Sequence, residues 1–224
     1  MRWLTIPVLF CFSAAAWAQS SAAAANSADS RDAQRAGELN APQVVEALAL
    51  PPGGSVADIG AGDGFYELFL SPAAGPEGHV YAEDIDEKGA IKRLQERVAN
   101  RHLANVKVIL GTADDPKLPG AALDAVLMVI MYHEIEHPEI MLDHVKAALK
   151  PGGRLVIVDM MPHKTIARPR ADQTKNHVIA AGLVESEVVR AGFEVVSRDD
   201  HFVDRPDEES TRWMMVCRKP VPHP

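Results

Sequence analysis

Cysteine is almost missing from this chain, with Cys11 and Cys217 alone among 224 residues. A fold held by a disulfide framework is thereby excluded, since such frameworks need several paired cysteines. Aromatic residues are sparse at 5%. No basic stripe with interleaved aromatics runs along the sequence, so a stacking platform for nucleic acid is not offered. The formal net charge of −8, with histidines counted neutral, argues the same way against a broad phosphate-binding surface. No nucleic-acid partner is expected. Past the first residues, no stretch approaches the roughly twenty apolar residues of a transmembrane helix.

What is present begins with Arg2, a largely apolar run from Trp3 to Phe12, and then Ala16-Trp17-Ala18 before Gln19. Positive start, short apolar centre and small-residue end form the layout of a secretory signal. Residues 1–18 are therefore read as a signal peptide. Export to the periplasm or beyond follows, with no stable membrane insertion after removal; the rival reading is a retained N-terminal anchor. The bulky Phe10 before Cys11 argues against a lipid-modified start at that cysteine. Removal of the segment leaves Cys217 alone, so no intrachain disulfide is expected. Residues 19–36 open with small and polar side chains lacking any core-forming period and are read as a flexible leader. Residues 37–218 are read as one domain and 219–224 as a tail. A composition of 47% hydrophobic and 24% charged residues suits one globular core.

The chemistry is concentrated in Val56-Ala57-Asp58-Ile59-Gly60-Ala61-Gly62-Asp63-Gly64, followed by Asp84 twenty residues past the last glycine. An apolar strand running into a loop with almost no side chains lets a ligand lie against backbone N–H groups. An acid at the tip of the next strand can grip a ribose. Together they read as a nucleoside-cofactor site. The spacing is G-x-G-x-G, and the dinucleotide pattern G-x-G-x-x-G fails at Phe65. Alone, the triplet is equally consistent with a tight strand-to-helix turn.

Two further segments stand in order behind it: Gly78-His79-Val80-Tyr81-Ala82-Glu83-Asp84-Ile85-Asp86 and Leu149-Lys150-Pro151-Gly152-Gly153-Arg154-Leu155-Val156-Ile157-Val158. On these three motifs the chain, from about Gly37 to Arg218, resembles the class I S-adenosylmethionine-dependent methyltransferases. The resemblance implies a Rossmann-like seven-stranded sheet, mostly parallel, with an antiparallel last strand. It implies S-adenosylmethionine as cofactor. The acid at Asp58 would order the glycine loop and face the cofactor's amine, and backbone at Gly60 and Gly62 would approach its amino-acid end. Asp84 would take both ribose hydroxyls, and Ile85 would lie against adenine. In Gly111-Thr112-Ala113-Asp114-Asp115, the family's usual adenine-binding acid is replaced by Thr112. Ala113 and Asp114 then become the adenine candidates, beside the plain reading of a solvated turn before Pro116.

Pattern alone gives a doubly wound α/β fold with helices on both faces of the sheet. Strands are expected at Ser55–Ile59, His79–Asp84, Val106–Leu110, Ala125–Met131, Arg154–Met160, Phe193–Arg198 and Trp213–Arg218, several of them continuous apolar runs. Helices are expected at Glu38–Leu50, covering the cofactor mouth or the sheet edge, at Glu87–Ala99 capped by Asp86, at Glu139–Leu149 opening at Pro138, and at Leu183–Ala191.

After the fourth strand comes Met131-Tyr132-His133-Glu134-Ile135-Glu136-His137-Pro138. The resemblance places the methyl acceptor at the end of that strand, so Tyr132, His133 and Glu134 are the catalytic candidates. His133 has the ordinary pKa of a base, and the bland alternative is a pocket wall without proton transfer. The same segment matches the zinc-protease pattern H-E-x-x-H. Pro138 reads as a helix start, which leaves both histidines in a turn rather than on one helical face. No metal is expected. Farther on, His177 either reaches the active site or leads into the last helix.

The expected function is methyl transfer to a small-molecule or lipid-like acceptor. Two readings stand beside it: an NAD(P)-dependent oxidoreductase, and a nucleoside-cofactor-binding protein without turnover. The sequence sets no oligomeric state.

Overall fold

The computed structural model describes residues 29–162, 168–204 and 210–222. The signal-peptide reading of 1–18 falls outside the described residues, as do leader residues 19–28. The described residues divide into two units, one ending at Leu39 and one beginning at Asn40. In the first, residues 29–38 are helical (α1), closed by the Leu39 N–H on the Arg35 carbonyl at 2.9 Å.

The second unit is built on a seven-stranded sheet. Its strands are β1 (Ser55–Ile59), β2 (His79–Asp84), β3 (Val106–Leu110), β4 (Leu123–Val129), β5 (Leu149–Pro162), β6 (Glu194–Val203) and β7 (Ser210–Arg218). The spatial order is β3-β2-β1-β4-β5-β7-β6. Strands β1 to β5 pair in parallel, and β7 runs antiparallel between β5 and β6. This is the expected fold. Every element boundary in β1, β2 and β3 is where the apolar runs place it.

Alternation along each strand sorts side chains between two faces. Ala57, Ile59, Val126, Met128, Leu155, Ile157, Trp213 and Met215 point to one face, where they form a single core with Met141, Leu142 and Val145 of α5 (Pro138–Ala148) and Val184 and Val188 of α7 (Ala181–Arg190). The Trp213 indole N–H donates to the Ile179 carbonyl at 2.8 Å, so this large buried ring keeps its polar edge satisfied. The opposite face meets α3 (Glu67–Ala74) and α4 (Ala90–Asn100).

Helix α2 (Ala41–Ala47) is shorter than the expected Glu38–Leu50. It packs on α3 and β5, with the Arg154 guanidinium donating to the Ala47 carbonyl at 2.9 Å. Helix α4 opens under the Asp86 carboxylate, which accepts the Gly89 and Ala90 N–H groups, both at 3.0 Å. Those two donors hold the Asp86 carboxyl below its ordinary pKa. Helix α5 starts at Pro138, where a missing N–H costs nothing. Three helices have no counterpart in the sequence reading, the first being α1, whose residues 29–36 are helical where a flexible leader is expected. Helix α3 contains Pro72, which interrupts the helical signal, and α6 (Arg170–Thr174) is too short to show a period.

Candidate active site

Strand β1 ends at Ile59 and the backbone then turns through Gly60 at φ 74° and Gly62 at φ 62°, a region that side chains with a Cβ seldom adopt. The two glycines serve different ends. A Cβ on Gly60 would lie 2.9 Å from the Met131 Cβ, so the loops after β1 and β4 touch there. A Cβ on Gly62 would meet nothing closer than the Gly60 carbonyl oxygen at 4.0 Å. The bare space is above Gly62. The loop is tied to α4 by Arg97, whose guanidinium reaches the Asp63 carboxylate and carbonyl, both at 2.7 Å.

Asp84 closes the same space from β2. One carboxylate oxygen accepts the Gly62 N–H at 3.0 Å, and the other accepts the Asp86 N–H at 3.0 Å. Glycine loop and ribose acid therefore converge, separated by 22 positions in sequence. Ile85, next along, is 56% exposed. A large apolar side chain open to solvent beside a glycine loop and an acid suits the stacking of a flat base.

Beneath the loop lies a group of buried acids. Asp58 is buried on the α3 side of β1, facing Glu67, which is fully buried. Burial and the neighbouring Glu67 carboxylate hold the Asp58 carboxyl well above its ordinary pKa. Burial raises Glu67 to about 7, and neither of its carboxylate oxygens has a hydrogen-bond partner. Two carboxylates in contact away from water cannot both ionise cheaply, so the pair holds a proton. Glu83 is also buried and is raised to about 8, with burial again the largest cause. Its Oε1 has no partner and lies where a Cβ on Gly111 would stand. Glu67 and Glu83 were not read as site residues from the sequence. An acid inside a strand of otherwise apolar residues is the signal that could have found Glu83.

The turn after β3 is organised by Asp115 rather than Asp114. The Thr112 N–H donates to the Asp115 carbonyl at 2.9 Å, the Asp115 N–H to the Thr112 hydroxyl at 3.1 Å, and the Lys117 N–H to the Asp115 carboxylate at 2.8 Å. Ala113 is exposed and Asp114 half-buried on this turn.

At the end of β4, Ile130 takes φ 52° and the chain enters a single 3-10 turn, Tyr132–Glu134. The three catalytic candidates separate here. Tyr132 is fully buried, with its hydroxyl on the Glu187 carboxylate of α7 at 2.8 Å and the Arg170 guanidinium 5.9 Å above its ring. Arg170 also reaches Glu187 at 3.0 Å. Burial, with Glu187 adding to it, pushes the Tyr132 phenol far up. This tyrosine is a core residue satisfied by a buried carboxylate, which corrects its place among residues nearest the reaction. The cause is the tight turn, which sends consecutive side chains in opposite directions.

His133 and Glu134 face the other way. The buried His133 donates its backbone N–H to Asp159 at 3.0 Å, and its Nδ1 lies 2.8 Å from the same carboxylate. Its Nε2 is 3.1 Å from Glu134 Oε1, which also lies 2.7 Å from His177 Nδ1. Burial pulls the His133 pKa down, but the Asp159 and Glu134 carboxylates outweigh it and the net shift is upward. Asp159, fully buried in β5, went unread. His177 is brought to the site. His137 is not: it is exposed, at the start of α5, with its ring 3.9 Å from Glu139. The H-E-x-x-H pair therefore forms no shared face.

A cavity of about 440 Å³ opens beside His177, lined also by Met160, Pro162, Arg168, Gln173 and Val178. It lies at the carboxyl ends of the strands, across the β1/β4 switch in strand order from Ile85. That is where open α/β sheets bind ligands.

Residues 56–153 match a family model described as a methyltransferase domain. An arsenite methyltransferase of Halobacterium salinarum is 27% identical over 172 residues, covering 74% of this chain and 42% of that protein. A protein-L-isoaspartate O-methyltransferase of Ignicoccus hospitalis is 33% identical over 115 residues, 51% of each. The crystal structure of an S-adenosylmethionine-dependent methyltransferase from Aquifex aeolicus superposes with a TM-score of 0.69 at 26% identity, covering 82% of this chain and 92% of that one. Residues 56–153 thus carry a match to a methyltransferase domain, and these similarities support the class I type. Its cofactor is S-adenosylmethionine. The chain spans about half the length of the curated relatives it matches. The structure of the [4+2]-cyclase SpnF, at TM-score 0.72 and 17% identity, shares the fold alone.

The residues present fit that cofactor. The methyltransferase loop has room above Gly62, an acid at ribose height and an exposed apolar residue for a base. The acid that faces the open space, Asp84, suits a ribose and a cationic sulfonium compound, and it opposes the pyrophosphate of a dinucleotide.

Proposed function

We propose that this methyltransferase domain transfers a methyl group from S-adenosylmethionine to a small-molecule acceptor seated at the carboxyl ends of β4 and β5. The observation that carries the reading is the convergence of the Gly62 N–H and the Asp84 carboxylate on one open space. When bound, the sulfonium supplies a methyl carbon already activated toward nucleophiles. The chain's own residues then have three tasks. Asp84 exchanges its backbone donors for two ribose hydroxyls, which a carboxylate can accept together. Ile85 gives the base an apolar surface. The wall formed by His133, Glu134 and His177 holds a polar group of the acceptor in line with the methyl carbon, since alignment of reactants is where such a site gains most. The adjoining cavity, near 440 Å³, is of a size for a small organic molecule rather than a folded macromolecule.

Methyl donor labelled in the methyl group, incubated with the purified protein and fractionated cell-envelope metabolites, tests this reading. It predicts S-adenosylhomocysteine together with an acceptor heavier by one CH2. Binding of S-adenosylmethionine without product in any fraction would instead favour a binding protein without turnover. Binding of NADH in its place would favour an oxidoreductase.

We further propose that the protein is exported, on the layout of residues 1–18. Mass measurement of the mature protein should give an N-terminus at Gln19, and an intact Met1 in the purified native protein would contradict it.

A further inference from the structure

Among the described residues, three side chains with metal-binding atoms come together at one point: His133, Glu134 and His177, whose ligand atoms all lie within 4.8 Å of one another. We propose that His133 Nε2, a Glu134 carboxylate oxygen and His177 Nδ1 form a three-ligand site for a divalent first-row cation such as Zn²⁺.

The argument starts with Asp159. Its carboxylate accepts the His133 backbone N–H at 3.0 Å and the Met160 N–H at 2.7 Å. A buried carboxylate so placed acts as acceptor for the third group on it, His133 Nδ1 at 2.8 Å, so Nδ1 carries the hydrogen. With Nδ1 so held, Nε2 is the atom that faces Glu134 and His177, and a cation bound there would take its lone pair in place of a proton. A carboxylate holding one nitrogen of an imidazole so that the other faces outward is the usual support behind a metal-bound histidine. The ring cannot turn away, because it is buried and the same carboxylate also holds its backbone.

The two other ligands come from different elements, Glu134 from the turn after β4 and His177 from the segment between α6 and α7. Their side chains are 58% and 72% exposed, so each can adjust. Metal–ligand bonds of about 2.0–2.2 Å put tetrahedral ligand atoms about 3.4 Å apart. The present contacts of 2.7 and 3.1 Å need to open by about 0.7 and 0.3 Å to reach that separation. Two imidazoles and one carboxylate suit a borderline cation rather than calcium or magnesium, which prefer all-oxygen sets. Three protein ligands leave a coordination position free, the arrangement of sites that bind a water or a substrate. That position adjoins the cavity lined by His177 and Met160. An acceptor oxygen, nitrogen or sulfur would be the group held there. This last step alone rests on the methyl-transfer reading.

The test needs no methyl donor. The full chain, stripped with chelator, is titrated with Zn²⁺ and separately with Co²⁺. One ion per chain is expected, with Co²⁺ giving the visible absorption of a four- or five-coordinate ion. Glu134→Gln and His177→Ala, both at exposed side chains, should each weaken Zn²⁺ binding at least about tenfold. Asp159→Asn should weaken it about 10- to 100-fold while keeping the one-to-one ratio, as expected of a positioning residue. His137→Ala should bind as the unaltered protein does. No uptake by the unaltered chain, unchanged affinity in His177→Ala, or loss in His137→Ala would each overturn the site. S-adenosylmethionine titrated into His177→Ala should bind normally, so failure of the metal site and failure of the cofactor assignment are read in separate measurements.

Discussion

The two halves of this sheet treat buried carboxylates in opposite ways. On the β1–β3 side, Glu67 and Asp58 lean on each other, acid against acid, and Glu83 is buried with its Oε1 unpartnered; all three are held above their ordinary pKa. On the β4–β7 side, Asp159 is saturated by His133 and the Met160 N–H, and Glu187 by Tyr132 and Arg170. Satisfied buried acids fix side chains in place and complete a core. Unsatisfied ones are costly until something meets them. The difference teaches that the first half keeps protonated acids beneath an open loop, with Asp84 facing the space above it, while the second half builds a rigid wall.

Removing the acid that faces the open space should break this contrast most severely. Asp84→Ala loses two charge-assisted hydrogen bonds to the ribose, and S-adenosylmethionine affinity should fall on the order of 100-fold by calorimetry. On the satisfied side, Tyr132→Phe leaves Glu187 without one donor and should cost about 1–3 kcal/mol in denaturant unfolding. It should leave cofactor affinity unchanged, since the hydroxyl faces α7.

A subtler probe is pH. Glu83 is raised from 4.5 to about 8, so the folded chain holds a proton there that the unfolded chain releases. Its contribution to stability is complete below 4.5 and disappears as pH climbs through about 8, so unfolding free energy should decline across that window. Glu67, raised to about 7, acts in the same direction. Glu83→Gln should flatten part of the slope; a slope that persists unchanged would place the proton elsewhere. The smallest effect belongs to His137→Ala, within about 0.5 kcal/mol in thermal unfolding, because that exposed ring serves neither half.

Legibility in the sequence followed the same division. Strands β1 to β3 were read to the residue because each is a short apolar run cut off by a turn, and the glycine loop with Asp84 is contiguous enough to be seen. The expected strand over Arg154–Met160 proved longer. Leu149 pairs with Leu123 before the Pro151-Gly152-Gly153 turn, and the register shift there has no pattern of its own. Helix α3 stayed hidden behind Pro72. In the acceptor half, His133 and Glu134 were named, but Asp159 lies 26 positions from His133, and His177 lies 43 from Glu134. Only the folded sheet makes them neighbours. Tyr132 was misplaced for a related reason: a one-turn 3-10 segment separates adjacent side chains, and no spacing rule announces it.

The central claim is that the first half is built for a sulfonium nucleoside and against a pyrophosphate. Parallel calorimetric titrations of the purified chain with S-adenosylmethionine and with NADH, each repeated on Asp84→Ala, test it most directly. One-to-one binding of S-adenosylmethionine, lost in Asp84→Ala, with no heat from NADH, is the predicted result. Tight NADH binding, or S-adenosylmethionine affinity indifferent to Asp84, would contradict it.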